Sequence, residues 1–242
     1  MNNLFLHTRP SGNPREFDTF WMTGMNAKGR VRTTITLEDD GAIAAELAVA
    51  QYLLEERHAC GHNKAGAGLC LYVTFGAIRK LLNAESDKGH LAPYALFLRT
   101  RFLGAEISVA NRKVEWIDDQ CEERVESLIV SEPKATLIEV GGFGQVELTA
   151  HAVEQYVTRF GRKPEKAWRA LQEIAKTASP VTQAKRSAFH NIKHRRQGTF
   201  VLNQEQDLLM VITPPEKVGG LPKLVTIYRP SDKRLGEVRQ VP

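Results

Sequence analysis

Cysteine is nearly missing from this chain: 242 residues contain three, Cys60, Cys70 and Cys121. An odd number at wide spacing excludes a disulfide framework and a CxxC zinc site. Buried, reduced thiols are the expectation. Long apolar runs are missing too. No stretch approaches the length that spans a bilayer, and the opening MNNLFLHTRP lacks the apolar centre of a signal peptide. These absences lead to the expectation of a soluble, cytoplasmic protein without membrane contact. Internal repeats and low-complexity tracts are also absent. The remaining composition, 42% hydrophobic and 25% charged, is that of a globular protein able to bury a core in one large domain or two modest ones.

Carboxylates are absent from one further stretch, residues 184–196, AKRSAFHNIKHRR. Lys185, Arg186, Lys193, Arg195 and Arg196 place five fixed cations there, beside His190, His194 and the ring of Phe189. Cations for phosphates, imidazoles for proton transfer and a ring for base stacking together point to nucleic acid. A solvated basic face is the competing reading. From Gly141 onward there are 17 Lys and Arg against 9 Asp and Glu, a net of +8. Residues 1–140 hold 16 against 19, a net of −3. Two units with different tasks follow, and the basic one is expected to meet a polyanion.

Along the chain, residues 1–16 are turn-rich and read as irregular. EFDTFWMTG and RVRTTITLE read as strands, and GAIAAELAVAQYLLEERHAC as a helix with Ile43, Leu47, Ala50 and Leu54 on one face. LCLYVTF is a buried-type strand, GAIRKLLN and part of 94–103 are helical, and AEISVAN begins another strand. DDQCEERVESLIV reads as a helix with an acidic first turn. Pro133 and the glycines 141, 142 and 144 mark a boundary. Beyond it come a short strand QVELT, two helices separated by Gly161 and Pro164, and an alternating run through SAFHNIK, TFVLN, DLLMVIT and KLVTIYRP that reads as an antiparallel meander. The expected architecture is α/β and α+β: a mixed sheet with helices over 17–140, then a smaller domain over 145–242 of two helices on an antiparallel sheet.

The order of elements in the first half resembles the RNase H-like fold. FWMTG resembles that family's first strand, and AAELAVAQYLLE its first helix, with Glu46 at the position of a catalytic glutamate. LYVTFGAIRKLL is similar to the strand and helix that carry a further catalytic aspartate, and WIDDQCEERVESL to the closing acidic helix. The resemblance implies two-metal phosphodiester chemistry, which needs clustered carboxylates. On this alignment Thr23 and Phe75 stand where two of the acids belong, and neither binds Mg²⁺. Asp18 lies five residues before Thr23 and alternates to the other face. Glu46, Asp118 and Asp119 remain, with ordinary helix-surface and helix-start roles open to them. A non-catalytic RNase H-like scaffold is the expectation.

LTAHAVEQYVTRFG resembles the opening of small phage and mobile-element domains related to RelE/ParE-like toxins, the barnase/EndoU/colicin/RelE group. Their Thr-x-His-Ala start, later Arg and late Val-Thr pair correspond to Thr149, His151, Ala152, Arg159 and Val225-Thr226. The resemblance implies a ribonuclease, a gyrase poison or an inactive binder. Spacing adds to it. With Thr149 as N-cap, His151, Gln155 and Arg159 follow at steps of four on one helix face. Base, hydrogen-bonding group and phosphate clamp are one reading of that stripe. A helix-start contact for His151 and ion pairs from Arg159 to Glu154 or Glu165 are the other. His190 and His194 are co-facial in either a strand or a helix, and no Cys, Asp or Glu lies nearby to complete a zinc site. Tyr228 on the last strand is a further candidate contact.

The leading expectation is therefore a nucleic-acid-binding protein of mobile-element or toxin type, with RNA favoured over DNA. In it His151, His190, His194 and Arg159 are the candidate catalytic set of a metal-free endoribonuclease. Gln155, Lys185, Arg186, Phe189, Lys193, Arg195, Arg196 and Tyr228 are its candidate contacts, and no metal or cofactor is expected. A non-catalytic adaptor, with a protein partner or antitoxin on the acidic half, is the alternative. A metal-dependent RNase H-like nuclease is the third.

Overall fold

The computed structural model describes residues 2–61, 65–109, 114–119, 121, 125–181 and 198–230. The chain divides into two compact units, Met1–Lys134 and Ala135–Pro242, each built on a mixed six-stranded sheet with helices. Among the described residues no helix is long and apolar enough to cross a membrane.

The N-terminal unit opens with three strands, β1 (Asn2–Pro10), β2 (Glu16–Thr23) and β3 (Lys28–Ile35), paired as an antiparallel meander. Next come α1 (Gly41–Glu55), β4 (Leu69–Val73), α2 (Gly76–Leu82), α3 (Leu96–Arg99), β5 (Glu106–Val109) and β6 (Val125–Val130). The sheet order is β5-β4-β1-β2-β3-β6, with β4 parallel to β1, β5 to β4 and β6 to β3. Leu4 and Leu6 of β1, Trp21 of β2 and Val31 of β3 share one face. They pack with Ile43, Leu47, Ala50 and Leu54 of α1, Ile78 of α2 and Phe97 of α3 in one core.

Two expectations fail in this unit. Residues 1–16 are not irregular: β1 occupies 2–10 and lies inside the sheet, with only Ser11–Arg15 left as the turn. The Pro and Gly signals belong to that turn, while Leu4, Leu6 and Thr8 alternate inward. EFDTFWMTG is therefore the second strand. The helix expected over DDQCEERVESLIV is present at its start, where Asp119 and Cys121 are helical, but VESLIV is not helical. It forms β6 on the sheet edge beside β3, where β-branched residues favour extended backbone over the helix that the preceding acids suggested.

The C-terminal unit runs β7 (Leu137–Val140), β8 (Gly144–Leu148), α4 (Ala150–Phe160), α5 (Pro164–Lys176), β9 (Ser179–Pro180), β10 (Thr199–Asn203), β11 (Leu208–Thr213) and β12 (Lys223–Tyr228). Its sheet order is β7-β8-β12-β11-β10-β9. The sheet is not wholly antiparallel as expected, because β8 and β12 pair in parallel. The chain reaches from one to the other through both helices, a crossover long enough for parallel neighbours. The unit also begins before the glycines: β7 forms a hairpin with β8 through them. Helix α4 buries Ala152, Val153 and Tyr156 and ends at Gly161, whose φ of 58° suits the left-handed cap. Helix α5 starts with Pro164 and buries Ala167, Trp168 and Leu171. SAFHNIK lies outside the described residues.

Gly141 closes β7 against the end of α5. Its amide donates to the Ala175 carbonyl at 2.8 Å, and a Cβ there would collide with the carbonyl oxygens of Lys176 and Ala178. Backbone cannot retreat as a flexible side chain can. Gly141→Ala is expected to destabilise the C-terminal unit by about 1–3 kcal/mol, read as a lower denaturant midpoint at unchanged m-value.

Candidate functional site

Glu46 sits on the sheet-facing side of α1 and is fully buried. Its Oε1 accepts a hydrogen bond from the Thr74 amide at 2.7 Å. Thr74 directly follows β4, and its hydroxyl in turn accepts from the Thr8 amide of β1 at 2.9 Å. The Thr8 hydroxyl lies 2.9 Å from that of Thr19 on β2. Three elements thus converge at the carboxyl ends of the parallel strands β1 and β4, the usual place for a site in such sheets. Burial raises the Glu46 carboxyl above its ordinary value, against the opposing pull of hydrogen bonds from Thr74 and Thr8.

The side chains of Thr23 and Phe75 do not belong to this cluster. Thr23 pairs with Leu4, at the opposite end of β1 from Thr8, about 13 Å away by strand rise. Phe75 precedes α2 and packs against the core. The neighbours of Glu46 are Thr8 and Thr74, which reading β1 as a loop concealed. One buried carboxyl beside two hydroxyls does not fit a pair of divalent cations, which need several anionic oxygens. Asp18 faces away, as strand alternation requires, in a bidentate pair with Arg32 at 2.9 and 3.2 Å. Asp118 pairs with Lys28, whose hydrogen bond holds its carboxyl below the ordinary value. Among the described residues no three His, Cys, Asp or Glu side chains gather where they could hold a metal ion. All three cysteines are buried and unpaired, and burial pushes the Cys60 thiol up to about 11.

In the C-terminal unit, the Thr149 hydroxyl caps α4 by accepting from the Ala152 amide at 3.2 Å. It also donates to the Leu224 carbonyl of β12 at 2.8 Å. From that cap His151, Gln155 and Arg159 project at steps of four, His151 exposed and the other two half-buried. Arg159 turns back onto β12. Its Nη1 donates to the Ile227 carbonyl, and its guanidinium lies 4.3 Å from the centre of the Tyr228 ring. The structure therefore brings Arg159 and Tyr228 together at the far end of the stripe that His151 opens. Val225 and Thr226 are adjacent on the same strand, Thr226 buried. Lys185, Arg186, Phe189, His190, Lys193, His194, Arg195 and Arg196 lie outside the described residues.

No protein-family model, curated protein or solved structure matches the chain. The functional reading rests on the chemistry of these two clusters.

The raised Glu46 carboxyl has a consequence for stability. The folded unit holds its proton to higher pH than the unfolded chain does, so the folded state binds more protons once pH passes the unfolded value near 4.5. The contribution is complete below that value and declines as pH rises through the folded one. Glu46→Gln, which cannot ionise, is expected to flatten this decline. Urea midpoints of both proteins across a pH series test it, and parallel curves refute the assignment.

Proposed function

We propose that the chain is a nucleic-acid-binding protein of mobile-element or toxin type, with RNA as its favoured ligand, acting through the C-terminal unit. The observation that carries this reading is the α4 stripe of His151, Gln155 and Arg159, with Arg159 set against Tyr228 at its end. An arginine has five N–H donors, and the bond to Ile227 uses one of them. The Tyr228 ring holds the guanidinium in place, so remaining donors are set for a phosphate with little ordering left to do. The unit around it is the basic half of the chain, and its sequence includes the five cations of 184–196.

On this reading the N-terminal unit is a non-catalytic RNase H-like scaffold. Its antiparallel meander followed by helices and parallel strands supports that resemblance, and the threonines around Glu46 support the loss of metal chemistry. Metal-free cleavage is the second reading, favoured by one observation: His151 is exposed at the start of α4, where it can reach a 2′-hydroxyl.

Fluorescence anisotropy of a labelled single-stranded RNA, run with the full chain over a salt series, tests the proposal. Affinity is expected to fall steeply with salt, and Arg159→Ala to weaken it by roughly ten- to a hundred-fold, an arginine–phosphate contact being worth about 1.5–3 kcal/mol. Intact RNA after incubation identifies a binder. Cleavage that persists in EDTA and disappears in His151→Ala identifies a ribonuclease. Affinity that is absent or indifferent to salt overturns the proposal.

A further inference from the structure

Helix α4 and strand β12 end against each other, and each contributes one ring and one arginine. Arg159 and Phe160 close the helix, Tyr228 closes the strand, and Arg229 follows it. Their contacts cross over. The Arg159 guanidinium lies 4.3 Å from the centre of the Tyr228 ring, and the Arg229 guanidinium lies 4.7 Å from that of Phe160. Phe160 also meets the ring of Tyr156, 5.4 Å away and tilted by 37°, while Tyr228 packs on the apolar cluster of Phe200, Leu209 and Val211. Each ring is thus enclosed between a cation and the protein, without the open face on which an unpaired base stacks.

A third guanidinium stands at the same corner. Arg162, just past the Gly161 cap, lies beside the hydroxyl of Tyr156. That tyrosine is fully buried, and its hydroxyl has no protein partner in hydrogen-bonding geometry. Burial raises the phenol above its ordinary value, and the charge of Arg162 opposes the rise. Among the described residues, the ion pairs of this unit join Lys176 to Glu173 and Lys223 to Glu147 and Glu216, and none includes the three arginines. Residues 155–164 and 217–230 contain no Asp or Glu at all. The dipole of α4 favours a cation in its last turn, which accounts for Arg159. It does not account for Arg229, which the strand supplies.

Three guanidiniums gathered without a carboxylate repel one another until an anion joins them, and their planar forks match phosphate oxygens. With the ring faces covered, the corner offers donors for phosphate and no platform for a base. We propose that the end of α4 is a clamp for linked phosphate groups, Arg159 and Arg229 each taking one and Arg162 adding charge, which grips a nucleic-acid backbone without regard to its bases. This clamp deepens the function proposed above and rests on it for the source of the phosphates. Contacts of this kind position a strand and carry no sequence information, so any preference for RNA over DNA comes from other residues.

The test uses the full chain and end-labelled single strands of oligo-rU, oligo-rA and oligo-dT, followed by anisotropy over a salt series. The three affinities are expected to agree within roughly three-fold. Arg162→Gln and Arg229→Gln, both at exposed positions, are each expected to weaken binding roughly ten-fold and to lower the slope of log affinity against log salt by about 0.7. Arg169→Gln, exposed on α5, removes the same charge elsewhere and is expected to leave that slope unchanged. Melting curves show that each variant folds. Salt-dependent binding unchanged in Arg162→Gln and Arg229→Gln overturns the clamp and leaves the nucleic-acid reading standing, as does an equal loss in Arg169→Gln. A strong preference among the three strands that Arg229→Gln abolishes also overturns it. If no strand binds, the nucleic-acid reading falls, and calorimetry with inorganic tripolyphosphate decides the clamp. Binding that Arg229→Gln abolishes then supports it with free polyphosphate as the source, and no binding overturns it.

Discussion

Strand β1 divides its two edges between unlike neighbours, antiparallel β2 on one side and parallel β4 on the other. An antiparallel neighbour needs only a tight turn, which Ser11–Arg15 supply, whereas a parallel neighbour needs a crossover that covers a sheet face. Helix α1 is in that crossover, so the pairing of β1 with β4 dictates where α1 lies and which of its residues meet the sheet. Glu46 is carried inward by the same requirement. Its hydrogen bond from the Thr74 amide ties the helix to the end of β4, and Thr8 ties β1 to the same point.

The C-terminal unit solves a similar problem by fastening α4 to β12 at two places. Thr149 donates to Leu224 at the helix start, and Arg159 donates to Ile227 near its end. The helix advances about 15 Å between these residues, while the strand advances about 10 Å between its carbonyls. A long arginine side chain spans the difference, and a lysine, lacking the planar fork, would not also lie over Tyr228. Arg159 thus orders the stripe it belongs to. The binding role proposed for it rests on its being held, since a group already immobilised loses little freedom when a phosphate arrives.

Periodicity revealed most of the helices and the late strands because their apolar faces repeat at the proper intervals: α5 through Ala167, Trp168 and Leu171, β11 through an unbroken apolar run. What it hid had local causes. The turn signals around Pro10 and Gly12 obscured β1, a strand whose inward row ends in a threonine instead of a third leucine. The acids before Val125 suggested a helix because helix-start chemistry acts locally, whereas the pairing of β6 with β3 joins residues ninety or more positions apart. The His-Gln-Arg stripe was legible from its spacing of four. The partner of Arg159 was not, because a backbone carbonyl is present at every residue and carries no sequence signature. The error over β1 propagated into the site: once that strand was missed, Thr8 was not considered as a neighbour of Glu46.

Threonines around a lone buried glutamate have their own logic. Clustered carboxylates repel one another and are stable in a protein interior only with cations between them. With hydroxyls at Thr8 and Thr74 the repulsion is gone, and a single carboxyl can be buried in its protonated form and still accept from a backbone amide. Glu46 links α1 and β4 by accepting from the Thr74 amide, with burial raising its carboxyl above the ordinary value, and Thr74 in turn accepts from β1. Such a core does not require a divalent cation for its integrity.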